Sequence, residues 1–163
     1  MSSELSDQVF KTAGYQVHHW AGLGEGDITV LHKEPFRFTW FATKLVTFVF
    51  LIRRPIETLS QAQEDYPSFR KFAGEHKRTY LSFGIQCGYA LLPIFIAQTF
   101  PEALIEEVRS TYKKRWCVFH TPSLLNISTG RVVTLEHPYL WGRIYRDYLR
   151  ATIDEIADRV GNR

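Results

Sequence analysis

The sequence has few cysteines. Only Cys87 and Cys117 occur among its 163 residues, and neither has a second Cys at metal-ligand spacing. Two cysteines are too few for a secreted disulfide scaffold. Both lie in or beside apolar segments, where a free thiol acts as a small hydrophobic side chain. We therefore expect free thiols, no metal site and a cytoplasmic location.

The sequence also lacks the segments that target a chain or divide it. Its N-terminal residues are polar and acidic, without the basic and apolar regions of a secretory signal peptide. We find no internal repeat, no low-complexity segment and no linker rich in Pro, Gly or Ser. The length suits one domain with one sizeable core. We predict a single domain over residues 1–163.

Charge of one sign is not concentrated anywhere. The formal net charge is +3 and the pI is near 8.9. Nucleic-acid-binding domains usually carry a denser basic stripe. The charge therefore permits an acidic partner, nucleic acid included, but does not indicate one.

One long run lacks charge altogether. Residues 79–101 contain no charged side chain, a length that could span a bilayer. Gly, Gln and Thr residues dilute this run, and its fully apolar part, 89–97, is only as long as a strand. A strand covered on both faces also has a continuous apolar sequence. We predict a buried strand here and no membrane association.

Hydrophobic residues make up 45% of the chain and aromatic residues 15%, enough for a packed core. The strongest strand signals are 45–52 and 89–97, which belong in the centre of a sheet because they carry no charge. Other patterns predict helices near 6–13, 55–74, 101–115 and 138–160. They also predict strands near 15–20, 27–32 and 36–52, a strand at 116–120 and a hairpin over 123–136.

The resulting order is α-β-β-β-α-β-α-β-β-α. Its middle part alternates strands and helices, and such long connections suit parallel crossovers. The ends add antiparallel pairs. We predict an α/β (α+β) fold with a mixed, mainly parallel central sheet flanked by helices.

One set of residues suggests a catalytic ancestry. A helix that ends at Gly14-Tyr15, Asp27 entering a strand, and Lys44 on the next strand are together similar to the core of the PD-(D/E)XK nuclease fold. This resemblance covers about the first third of the chain. It implies metal-assisted phosphodiester hydrolysis, in which two acidic groups bind Mg²⁺ and the lysine assists the attacking water. Ala42 occupies the position of the second acid, so the resemblance implies a degenerate relative. The alternative is that Asp27 is simply a turn residue before a strand.

The last predicted helix carries candidate binding residues, namely Trp141, Arg143, Tyr145, Arg146 and Arg150. Trp, Tyr and Arg are enriched at the energetic centres of interfaces. The arginines recur three and four residues apart, which places them near one another on a helix. The alternative is that the aromatic rings pack on the sheet and that acidic residues of the same helix pair with the arginines.

No complete catalytic constellation is present. His18 and His19 are adjacent, so on a strand they point to opposite faces and cannot bind one ion together. No nucleophile elbow or phosphate-binding loop is recognisable. Our main hypothesis is a non-catalytic binding or assembly module without a cofactor, including a homodimer formed through aromatic surface. The alternative hypothesis is a degenerate PD-(D/E)XK-like domain that acts on or binds nucleic acid and uses Mg²⁺.

Overall fold

A computed structural model of the chain describes residues 3–21, 28–37, 43–78, 87–110, 118–136 and 143–161. These residues form one mixed sheet with helices on both faces. The helices are α1 (Ser3–Thr12), α2 (Leu59–Glu64), α3 (Tyr66–His76), α4 (Glu102–Ser110) and α5 (Arg143–Gly161). The strands are β1 (Gln16–Trp20), β2 (Ile28–Lys33), β3 (Phe36–Arg37), β4 (Thr43–Ile52), β5 (Cys87–Ala97), β6 (Val118–His120), β7 (Ser123–Asn126) and β8 (Arg131–Val133).

The two most apolar runs form adjacent central strands, which confirms the prediction for 45–52 and 89–97. β4 and β5 are parallel, with Lys44 opposite Cys87 at one end and Ile52 opposite Phe95 at the other. The crossover through α2 and α3 allows this parallel pairing. The apolar part of the uncharged run is thus a strand of the sheet. Within the described ranges, no helix is both long enough and apolar enough to cross a membrane.

The prediction of a mainly parallel sheet is wrong. The strand order is β1-β2-β4-β5-β7-β8, with β3 paired to β4 and β6 paired to β5. β4–β5, β5–β6 and β5–β7 are parallel, whereas β1–β2, β2–β4, β3–β4 and β7–β8 are antiparallel. The antiparallel pairs lie toward the two ends of the chain, where connections between strands are too short for a crossover.

The predicted element order also differs in detail. The strand expected over 36–52 is two strands, β3 and β4. The three strands after α4 match the strand predicted at 116–120 and the hairpin predicted over 123–136, although the order given for the whole chain counts two there. The helix expected over 55–74 is divided at Asp65 into α2 and α3, and Pro67 occupies the first turn of α3. Pro67 explains this division, because proline is tolerated in a first helical turn but not in a helix interior. The side chain of Asp65 accepts a hydrogen bond from Arg54 Nη2 at 2.6 Å.

The sheet separates two hydrophobic cores. On one face β2, β4 and β5 pack against α2, α3 and α4; Phe50, for example, stacks on Phe69 with ring centroids 4.3 Å apart. On the other face they pack against α1 and α5, where Tyr148 Oη donates to Thr47 Oγ1 at 3.1 Å. Each fully buried large apolar side chain contributes roughly 1.5–3 kcal/mol. Both faces of the central strands are therefore covered, as their uncharged sequences require.

Candidate functional site

Lys44 lies at the amino end of β4, and Asp27 lies outside the described residues. Ile28, which follows Asp27, begins β2 near the carboxyl end of β4, since Thr29 is opposite Leu51. Leu51 and Lys44 are separated by roughly 23 Å along the strand at the usual rise per residue. The structure thus places Lys44 at the opposite end of the β2–β4 pair from Ile28.

The partner of Lys44 is Glu34, which directly follows β2. Lys44 Nζ lies 2.7 Å from Glu34 Oε2. Oε1 of the same carboxylate accepts from the backbone N–H of Arg78 at 2.7 Å and lies 3.1 Å from His32 Nε2. Burial alone would raise the pKa of Glu34, but the hydrogen bonds from Lys44 and Arg78 bring it below its ordinary value. Glu34 is therefore a carboxylate that joins β2, β4 and the segment after α3.

His32, which contacts this carboxylate, is one of three histidines whose rings lie near one another on the same face of the sheet. The His18 ring on β1 lies 6.1 Å from that of His32 and 5.1 Å from that of His76, at the end of α3. His18 Nε2 and His32 Nδ1 are buried and have no hydrogen-bond partner in the described part of the chain. His19 points to the other face, where it pairs with Asp7 at 2.9 Å. The prediction that His18 and His19 face opposite ways is confirmed.

Burial lowers the pKa values of two of these histidines. For His18 the neighbouring His76, Arg78 and His19 act in the same direction. For His32 the nearby Glu34 carboxylate opposes the effect of burial without reversing it. Both imidazoles are therefore favoured in the neutral form. Among the described residues, no three His, Cys, Asp or Glu side chains are grouped so that they could bind one metal ion.

The binding residues predicted on the last helix are placed in different ways. Trp141 lies outside the described residues, and Arg143 is the first residue of α5, with its side chain outside them too. Tyr145 is partly buried and contacts the edge of Phe119, with ring centroids 5.4 Å apart. This contact supports the interpretation that Tyr145 packs on the sheet. Arg146 and Arg150 are exposed and lie together on α5.

Both exposed arginines have acidic neighbours. Arg146 Nε lies 3.2 Å from Asp147 Oδ1, and Arg150 Nε lies 3.8 Å from Asp154 Oδ2. All four side chains are at least half exposed. For Arg146 and Arg150, these pairs are the ones that the alternative of a salt-bridged helix face predicts. Exposed pairs of this kind contribute only about 0–1 kcal/mol, so a ligand can compete for the guanidinium groups.

Arg146 and Arg150 line a cavity of about 430 Å³ between α5 and the end of the β7–β8 hairpin. Sequence reasoning missed the residues on the sheet side, which come from the segments that follow β6 and β8. The full lining is Thr121, Thr134, Leu135, Glu136, Arg146, Asp147, Leu149, Arg150, Ala151, Ile153 and Asp154. Comparisons with protein-family models, with curated proteins and with solved structures find no match to this chain. Among the described residues, the candidate sites are this cavity and the group formed by Glu34, Lys44, His18, His32 and His76.

An exposed aromatic surface, expected for self-association, is not seen in the part of the chain that the structure describes. There, the large hydrophobic side chain that is exposed is Ile127, at 43%. Trp141, the strongest aromatic candidate, lies outside the described residues. The homodimer stays a prediction.

Proposed function

We propose that this chain is a non-catalytic binding module and that the cavity beside α5 is its ligand site. The observation that supports this proposal is that Arg146 and Arg150 line one cavity of about 430 Å³. Small-molecule sites are commonly 300–1,000 Å³, with an apolar surface and a few convergent polar groups. We expect the module to act in the cytoplasm.

The lining favours a ligand that carries both signs of charge. Two guanidinium groups, from Arg146 and Arg150, are accompanied by the carboxylates of Glu136, Asp147 and Asp154. Three carboxylates would repel a purely anionic ligand such as phosphate. A zwitterionic ligand, of which a short peptide is the simplest example, can offer an anion to the arginines and a cation to the acids.

The wall that presents these groups is fixed in place. Leu149 and Ile153 contribute to the cavity lining and are only 4% and 1% exposed, because they also belong to the core between α5 and the sheet. Across the cavity Thr134 is anchored by a hydrogen bond from Ser123 Oγ at 3.2 Å. A site built on packed elements loses little conformational freedom when it binds a ligand.

Titration calorimetry with a lysyl-glutamate dipeptide tests the proposal, with inorganic phosphate as the comparison ligand. We expect the dipeptide to bind and Arg150→Ala to weaken binding about tenfold, the loss typical of one charge-assisted hydrogen bond. Arg70→Ala is the matched control, because Arg70 is an exposed arginine on α3, across the sheet from α5. Absence of dipeptide binding, or equal weakening in both variants, contradicts the proposal.

Assembly is the second part of the binding hypothesis. We propose that copies of the chain associate through aromatic residues near the start of α5, Trp141 among them. Light scattering at high protein concentration is expected to show a dimer that Trp141→Ala weakens. A strictly monomeric protein removes this part and leaves the cavity proposal standing.

A second candidate function is a nuclease-like domain that acts on or binds nucleic acid. It is favoured by the 2.7 Å contact between Lys44 and Glu34, which provides Lys44 with a carboxylate from the neighbouring strand. In this proposal Glu34 would contribute oxygen ligands to Mg²⁺, and Lys44 would assist the attacking water. Calorimetry with Mg²⁺ or Mn²⁺ and a plasmid-nicking assay test it. Absence of both metal binding and nicking contradicts it, whereas activity lost in Lys44→Met supports it.

A further inference from the structure

The hydrogen bonds of two histidines fix which ring nitrogen carries the proton. His32 Nε2 faces a carboxylate oxygen of Glu34, which can only accept, so Nε2 is the donor and Nδ1 bears the lone pair. His76 Nδ1 lies 2.9 Å from the carbonyl oxygen of Phe72, so Nδ1 donates there. A neutral His32 therefore satisfies its contact with Glu34, and the lone pair of its Nδ1 stays buried.

Aromatic stacking attaches the end of α3 to the sheet through these rings. His76 stacks on Phe72 with ring centroids 3.9 Å apart, and His18 meets both rings edge-on. His32 stacks on Phe48, 4.3 Å away. The three histidines thus form part of the packing between α3, β1 and β2. Protonation would place a second N–H at a buried nitrogen, His18 Nε2 or His32 Nδ1, for which the described residues provide no acceptor.

Most of the charged groups around the three histidine rings are positive. Glu34 is the carboxylate that contacts one of these rings, that of His32. The titratable and charged groups around them are His19 on β1, Glu34 after β2, Lys44 on β4, Lys77 and Arg78 after α3, and Cys87 on β5. Glu34 already accepts from Lys44 and from the Arg78 backbone, which leaves it little capacity to neutralise two additional imidazolium charges.

We propose that His18 and His32, with the His76 ring that packs against His18, form an acid-sensitive latch, which attaches the carboxyl end of α3 to β1 and β2 while His18 and His32 are neutral and releases it when they are protonated. Release separates the Arg78 N–H from Glu34 and uncovers the Lys44–Glu34 pair. The effect is local, since the opposite core between the sheet, α1 and α5 contains none of these rings.

The sign of the pH dependence follows from burial. Because burial lowers the pKa values of His18 and His32, the unlatched segment binds protons more readily than the latched one. The latch is therefore fully formed above the ordinary histidine value of about 6.5 and weakens as the pH falls below it.

Amide hydrogen exchange at two pH values tests the latch. The reporter is the Lys77 amide, which donates to the Ala73 carbonyl at 3.1 Å. The reference is the amides of the buried α5 residues Ile153, Ile156 and Ala157. Between about pH 7.5 and about pH 5, we expect the protection factor at Lys77 to fall about tenfold more than that of α5. His18→Phe keeps a ring but cannot titrate, and is expected to abolish most of this difference. His19→Phe is the matched control on the opposite face of β1 and is expected to leave it unchanged.

Parallel loss of protection in α3 and α5, or an unchanged difference in His18→Phe, overturns the proposal. If that variant does not fold, an NMR titration of the wild-type imidazoles decides. Midpoints for His18 and His32 below the ordinary value of about 6.5 support the latch, and midpoints at or above it contradict it.

Discussion

The ammonium group of Lys44 lies 2.7 Å from Oε2 of Glu34 and connects the amino end of β4 to the end of β2. The two side chains are 24% and 10% exposed, so the contact is partly removed from solvent. Breaking such a pair leaves a poorly solvated charge behind, which costs more than the loss of an exposed pair. The same carboxylate also binds the Arg78 backbone, so its loss affects a third segment.

Glu34→Gln is predicted to lower the free energy of unfolding by about 2 kcal/mol. The substitution removes the negative charge that pairs with Lys44 and weakens the hydrogen bond between the two side chains. Urea denaturation at neutral pH measures this change. Asp154→Asn is the control, since it removes one carboxylate from the exposed pair with Arg150 and is expected to cost less than about 1 kcal/mol. Equal losses of unfolding free energy in the two variants would show that the Glu34–Lys44 contact stabilises the fold no more than an exposed ion pair does.

The buried hydroxyl of Tyr15 is predicted to make the protein less stable in alkaline solution. The residue is 4% exposed and its hydroxyl donates to Glu155 Oε2 at 3.3 Å. Burial, with the nearby Glu155 carboxylate, raises the pKa of Tyr15 well above its ordinary value. The unfolded chain therefore ionises first, and the contribution is complete below about pH 10 and decreases as the pH rises above it.

Urea denaturation at about pH 9 and about pH 11 checks this prediction, and the expected loss is about 1 kcal/mol per pH unit above the ordinary tyrosine value. Tyr15→Phe should show a smaller loss. Burial also raises the pKa of Tyr89 to about 12, so part of the dependence remains in that variant. An identical pH dependence in both proteins would rule out Tyr15 as its source.

Cys87 is predicted to resist alkylation in the folded protein. The residue is 3% exposed, and burial raises the pKa of its thiol, so the reactive thiolate is scarce. Iodoacetamide treatment with and without urea, followed by peptide mapping, separates the Cys87 peptide from the Cys117 peptide. We expect Cys87 to be modified only in urea. Rapid modification without urea would mean that the amino end of β5 opens readily.

The two central strands could be predicted from the sequence, because long uncharged segments fit only in the interior of the sheet. Segments 45–52 and 89–97 have no charged side chain, so both their faces must be covered, and they are adjacent strands in the structure. The buried stripe on α5 was also predictable, since Leu149, Thr152, Ile156 and Val160 recur at helical spacing and are buried. The directions of the outer strands could not be predicted in full, because pairing depends on partners distant along the chain.

The candidate sites were predictable only in part, for the same reason. Helical spacing places Arg146 and Arg150 together, but the cavity they line requires Thr121 and Thr134, which the sheet brings to α5. Glu34 meets Lys44 because β2 and β4 are antiparallel in one particular register, with Lys33 opposite Thr47. No local motif marks that contact. The alternation of Val30, His32 and Glu34 on one face of β2 was the available signal.

The most direct test of the binding proposal is an amide chemical-shift titration of the isotope-labelled protein with the lysyl-glutamate dipeptide. We predict saturable shifts at Thr121, at Thr134 and along 146–154, with the amides of Glu34 and Lys44 unaffected. Absence of shifts around the cavity, or shifts concentrated at Glu34 and Lys44, would contradict the assignment of the cavity as the ligand site.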